Sequence, residues 1–106
     1  MKSHDVGLPR LLAMAFALAF SMNASAAADA DAAKALAKSN GCFKCHSVDK
    51  EKDGPSFKAT AAKYKGKPDG EQALITHLTT GPDGHMVVKA KDPAEVKNLS
   101  DWILEQ

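Results

Sequence analysis

Cys42-Phe43-Lys44-Cys45-His46 constrains this chain more tightly than any other stretch, because it reads C-x-x-C-H. That pattern is the attachment sequence of a c-type haem. Two cysteines three apart on a short turn reach the two vinyl groups on one edge of a porphyrin, and each thiol adds to a vinyl to leave a thioether. The histidine that follows is carried under the same ring, where its imidazole binds iron as the proximal ligand. Three blander readings compete. A thioredoxin-like disulfide needs a βαβ context, which the chain lacks. A zinc site needs a second C-x-x-C or an H-x₃₋₅-H, also missing. Chance is the third, and the surroundings of the motif weigh against it.

The chain has 106 residues, enough for one domain, and its first part reads as a leader. Lys2 and Arg10 make a weakly basic start, interrupted by Asp5, and Leu11 to Phe20 is an unbroken apolar run. Small residues follow from Asn23 to Ala28, with Ala24-Ser25-Ala26 and Ala26-Ala27-Ala28 as A-x-A sites. This is the layout of a secretory signal peptide over residues 1–26, cleaved after Ala26 or Ala28. An uncleaved membrane anchor would want about 20 apolar residues, twice what the run offers. The mature domain is then 27–106. A domain this small often needs a staple, and a covalently held porphyrin supplies an apolar disc to pack around.

Charge is uneven along the mature chain. Nine lysines between Lys34 and Lys67 face only Asp49, Glu51 and Asp53, whereas three lysines face seven acids from Asp69 onward. No arginine remains once the leader is removed, so nothing resembles a nucleic-acid surface with its arginines and interleaved aromatics.

Helical spacing organises the rest. Asp29 to Asn40 is rich in alanine and lysine, with aspartates at its start, where a helix favours negative charge. Asn40-Gly41 is a good stop, so the first helix ends directly at Cys42. Ser47 to Pro55 is a polar loop closed by the rigid turn Gly54-Pro55. For Pro55 two readings stand side by side: loop punctuation, or a carbonyl that accepts from the outer nitrogen of His46. Ser56 to Lys65 reads as a second helix, with Phe57, Ala61 and Tyr64 inward. Glu71 to Thr80 reads as a third, with Leu74, Ile75 and Leu78 inward and Gly81-Pro82 as its stop. His77 on that helix reads as a half-buried or surface residue rather than a ligand. Asp92-Pro93-Ala94-Glu95 opens the last helix, with Asp92 as cap, Pro93 at the first position and Glu95 answering back. Val96, Leu99, Trp102 and Ile103 give its buried stripe. There is no repeat and no strand-like alternation.

Between the third and last helices, Gly81 to Asp92 is a loop that carries Met86. The other three methionines, Met1, Met14 and Met22, all lie in the leader. A lone methionine usually fills a gap in a core. This one sits in a glycine-flanked loop whose place in the chain suits an approach to the far face of the ring from His46.

Together these residues resemble the class I c-type cytochromes, in particular the short single-haem electron carriers of bacteria, over the whole of 27–106. The resemblance rests on Gly41 to His46, on Asp53-Gly54-Pro55 with the helix from Ser56 to Tyr64, on Met86, and on Leu99 to Leu104. It implies an all-α cytochrome c fold, about four short helices wrapped around one haem c held through Cys42 and Cys45. His46 and Met86 would be its axial ligands, the Pro55 carbonyl would steady His46, and the first and last helices would cross over the haem edge. Two departures stand out. Family members often carry an aromatic one turn before the motif, where this chain has Leu36-Ala37. The methionine loop is commonly proline-rich, whereas His85-Met86-Val87-Val88 lacks prolines and sets a second possible ligand beside Met86. Adjacent residues of an extended chain point opposite ways, so with Met86 toward the ring His85 would face solvent.

The resemblance also implies a function. Haem of this kind is attached outside the bacterial inner membrane, which agrees with the leader and points to the periplasm. There the protein would be an electron carrier and not an enzyme, cycling its iron between Fe(II) and Fe(III). Its partners would be redox proteins docking transiently at the haem edge. It would be a monomer with no nucleic acid and no stable membrane insertion after cleavage. The rival is a haem enzyme or gas-binding sensor with an open or weakly held sixth position, for which His77 and His85 would supply the distal groups.

Overall fold

The structure, a computed structural model, describes residues 27–106, and the leader expected over 1–26 lies outside them. Four helices follow one another: α1 (Ala30–Ser39), α2 (Phe57–Tyr64), α3 (Gly70–Thr80) and α4 (Pro93–Leu104). Short 3₁₀ turns occupy Cys42–Lys44 and Pro82–Gly84, and no strand occurs among the described residues. The fold is all-α, as the spacing of apolar residues requires.

Local chemistry sets the boundaries. Asp29 caps α1 by accepting from the Ala32 N–H at 3.0 Å, and Ser56 caps α2 by accepting from Ala59 at 3.0 Å. Asp92 does the same for α4 through the Ala94 N–H at 2.9 Å. Glu95 does answer back, but it accepts from the Lys91 N–H, one residue before the cap. Its carboxylate therefore ties the incoming loop to the helix rather than closing a capping box. Gly81 ends α3 in the left-handed region at φ 61°, and a Cβ there would also stand 2.3 Å from the His85 carbonyl oxygen. Both the turn and the close approach demand glycine.

α4 is the centre of the molecule, with α1, α2 and α3 each packed against it. Its stripe Val96, Leu99, Trp102 and Ile103 is buried, and Phe57, Leu74, Leu78 and Val88 close around it. Ala33, Ala37 and Ser100 have no exposed surface, as a close crossing of α1 over α4 on small side chains produces. An asparagine fastens each end of α1. Asn98 accepts from the Asp29 N–H at 2.8 Å and donates to the Asp29 carbonyl at 2.9 Å. At the other end Asn40 accepts from the Lys89 N–H at 2.8 Å and donates to the Lys89 carbonyl at 3.1 Å. The second clasp positions the loop carrying His85 and Met86, which is also held by the Val88 N–H donating to the Leu78 carbonyl at 2.8 Å.

Candidate functional site

The end of α1 delivers the motif. Gly41 reverses the chain at φ 73°, and Cys42–Lys44 then winds into a single 3₁₀ turn closed by the Cys45 and His46 N–H groups, both donating to the Cys42 carbonyl. Winding this tight keeps both thiols and the imidazole on one short piece of chain. Cys42 and Cys45 are free thiols, one half-buried and the other exposed. Burial is the main influence that raises the Cys42 pKa, so its sulfur stays protonated.

The polar loop folds back under the motif. The Gly54 N–H donates to the Cys45 carbonyl at 2.7 Å, and Phe57 donates to the Ser47 carbonyl at 2.9 Å. This brings the Pro55 carbonyl oxygen to 2.6 Å from His46 Nδ1. A carbonyl only accepts, so Nδ1 carries a proton and donates to it, which leaves Nε2 as the ring nitrogen available to a metal. Phe57 stacks on the imidazole at 5.4 Å and 22° between planes, and takes Phe43 and Trp102 edge-on at 5.9 and 5.5 Å. The ring is thus fixed in position, with Nδ1 turned to the carbonyl.

Gly54 lies flat against that ring, and an added Cβ would stand 2.5 Å from Cε1 and 2.8 Å from Nδ1 of His46. We expect Gly54→Ala to cost about 1–3 kcal/mol through overpacking against a ring that cannot retreat. Thermal denaturation of the haem-loaded protein measures it, and an unchanged midpoint would mean that the imidazole has room to move aside.

Beside His46 opens a cavity of about 410 Å³, walled by Phe57, Leu74, Leu78 and Ile103 and also lined by His77 and His85. A larger open groove of about 880 Å³ runs between α1 and the segment from Lys89 to Asn98, but no cysteine or histidine reaches it. The chemistry belongs to the smaller one. An apolar wall, two free thiols on the adjoining turn and an imidazole anchored through Nδ1 form a donor set that fits a covalently held haem. The residues singled out in the loop divide. His85 lines the cavity instead of facing solvent, because its Nδ1–H is held by the Met86 carbonyl at 2.7 Å. Met86 is 42% exposed and does not line the cavity. His77, read as a half-buried or surface residue, is half-buried on the cavity wall, its ring 4.7 Å from that of His85. Its pKa is lowered, chiefly by burial and then by His85 and Lys63, which keeps it neutral.

A helical domain with such a cavity defines a single-haem c-type cytochrome, and comparison with known proteins agrees. The cytochrome c family model matches residues 30–106. Cytochrome c-551 of Pseudomonas denitrificans is 39% identical over 74 residues, 65% of this chain and 90% of that protein. Cytochrome c-552 of Nitrosomonas europaea is 37% identical over 75 residues, covering 65% and 73%. Among solved structures, the class 1 cytochrome MtoD of Sideroxydans lithotrophicus ES-1 is 54% identical, with a TM-score of 0.64 over 74% of this chain and 97% of that one. Wild-type cytochrome c552 of Nitrosomonas europaea is 36% identical, with a TM-score of 0.54 over 67% and 95%. The chain belongs to the cytochrome c family, as a small class I c-type cytochrome. Its cofactor is haem c, bound covalently, and Cys42 and Cys45 are the only cysteines in the sequence.

Proposed function

We propose that this protein is an exported, periplasmic electron carrier whose haem iron is held by His46 and Met86. The observation that carries the reading is His46 itself, next in sequence to the two-cysteine turn, its Nδ1 anchored on Pro55 and its ring stacked on Phe57 at the cavity wall. Haem supplies an iron that alternates between Fe(II) and Fe(III), and the protein's part is to fix two ligands and exclude others. Filling both axial positions suppresses substrate chemistry, and a thioether opposite imidazole raises the potential. Export accords with the sequence of residues 1–26, and no helix among the described residues is long and apolar enough to cross a membrane. Of the two cleavage sites, the one after Ala26 would retain the Ala28 N–H bond to Glu105.

The ferric spectrum of the haem-loaded protein is the test. A low-spin signal with an iron–sulfur charge-transfer band supports the carrier. A high-spin signal would favour the haem enzyme or gas sensor, for which His77 and His85 on the cavity wall are the distal groups.

Docking has its own expected result. All nine lysines from Lys34 to Lys67 are exposed, and among the described residues only Lys58 of these is ion-paired, with Asp49 at 3.8 Å. Transfer to an acidic redox partner should slow as salt rises, because exposed charges are screened beyond roughly 10 Å at 0.1 M ionic strength. Rates that stay flat from low to high salt would remove electrostatic steering from the account.

A further inference from the structure

His85 and His46 are held by the same device. Each Nδ1 faces a backbone carbonyl oxygen, that of Met86 at 2.7 Å and that of Pro55 at 2.6 Å. Neither carbonyl can donate, so both imidazoles donate from Nδ1 and present Nε2 as the ring nitrogen left for a metal. Anchoring one ring nitrogen on a carbonyl is the usual outer support of a metal-binding histidine. Both rings line the one cavity, with centroids 6.1 Å apart and planes inclined by 43°. Two imidazoles bound to opposite sides of one metal ion, each through a nitrogen at about 2 Å, stand roughly 6 Å apart between ring centres. The neighbouring thioether has no such preparation, since Met86 is 42% exposed and lies off the cavity wall.

We infer that His85 is a reserve axial ligand, which takes the haem iron when Met86 leaves it. The inference rests on the proposed His46 and Met86 ligation. In the exchange the iron–sulfur bond breaks and a bond from iron to Nε2 of His85 forms. No electron moves, and the ring binds as a neutral imidazole whose proton stays on Nδ1, facing the Met86 carbonyl. Replacing thioether by imidazole favours ferric iron, so the exchanged form has the lower potential. The protein thus holds two coordination states in one loop, one suited to accepting electrons and one that resists them.

Haem-loaded single and double variants test this by ferric spectroscopy and electrode potential. Wild type should show the iron–sulfur band. Met86→Ala should lose the band and stay low-spin with two nitrogen ligands, at a lower potential. Adding His85→Ala to it should turn the iron high-spin and open it to cyanide, whereas adding His77→Ala should leave it low-spin. A wild type with the band, together with a high-spin Met86→Ala, would overturn the reserve role and leave the proposed ligation standing. A wild type without the band that turns high-spin in His85→Ala would overturn the Met86 ligation, and the reserve role with it.

Discussion

Protein in which both Cys42 and Cys45 are replaced by alanine is expected to lose its covalent haem and, with it, most of its helical circular dichroism. The four helices have 10, 8, 11 and 12 residues. Isolated helices shorter than about 12–15 residues are marginal in water, so these depend on packing. The packing is thin where it matters, because Ala33, Ala37 and Ala61 are three of the eleven buried apolar residues among those described. Of the others, Phe57, Leu74, Leu78 and Ile103 border a cavity of about 410 Å³. Left unfilled, that space exposes one face of each of these side chains and forfeits its packing contacts. Haem is what these side chains pack on, and the two thioethers keep it there. A double variant that melts cooperatively with its helicity intact would show that α4 and its neighbours hold a core by themselves.

Much of this was legible in the sequence, and the remainder failed for identifiable reasons. Ser56, Gly81 and Asp92-Pro93 mark helix ends by local chemistry: α2 and α3 begin and end, and α4 begins, within a residue or two of where the sequence puts them. The stripe of α4 follows from 3.6-residue spacing. The two asparagine clasps were not visible, because Asn40 and Asn98 bond backbones 49 and 69 residues away and nothing in their own neighbourhoods records it. His85 was misjudged from the alternation of an extended chain. The loop instead begins with a 3₁₀ turn containing Asp83 at φ 56°, and a bond from the ring to its neighbour's carbonyl holds the imidazole against the cavity. The missing aromatic before the motif is offset from within it. Phe43 packs edge-on against Phe57, which also takes the edge of Trp102 from α4.

Trp102→Ala should be the most damaging single change in the core that leaves the haem attached. Trp102 is 4% exposed, lies in the last turn of α4, on which α1, α2 and α3 all pack, and meets Phe57 edge-on at 5.5 Å. Removing it takes away a large apolar surface and frees Phe57, which in turn carries the His46 ring. Truncating a buried tryptophan costs about 3–5 kcal/mol, while a domain of about 80 residues has roughly 4–12 kcal/mol in all. The thioethers through Cys42 and Cys45 survive the change, so the haem stays attached while the helices loosen around it. Trp102 is the only tryptophan, which rules out intrinsic fluorescence as the probe for the variant. Helical circular dichroism against denaturant serves both proteins, and Trp102→Phe, which keeps an aromatic edge toward Phe57, should recover much of the loss. If Trp102→Ala shifts stability by less than about 1 kcal/mol, well under the usual cost of a buried aromatic, then the haem itself, and not α4, is the element around which this chain is held.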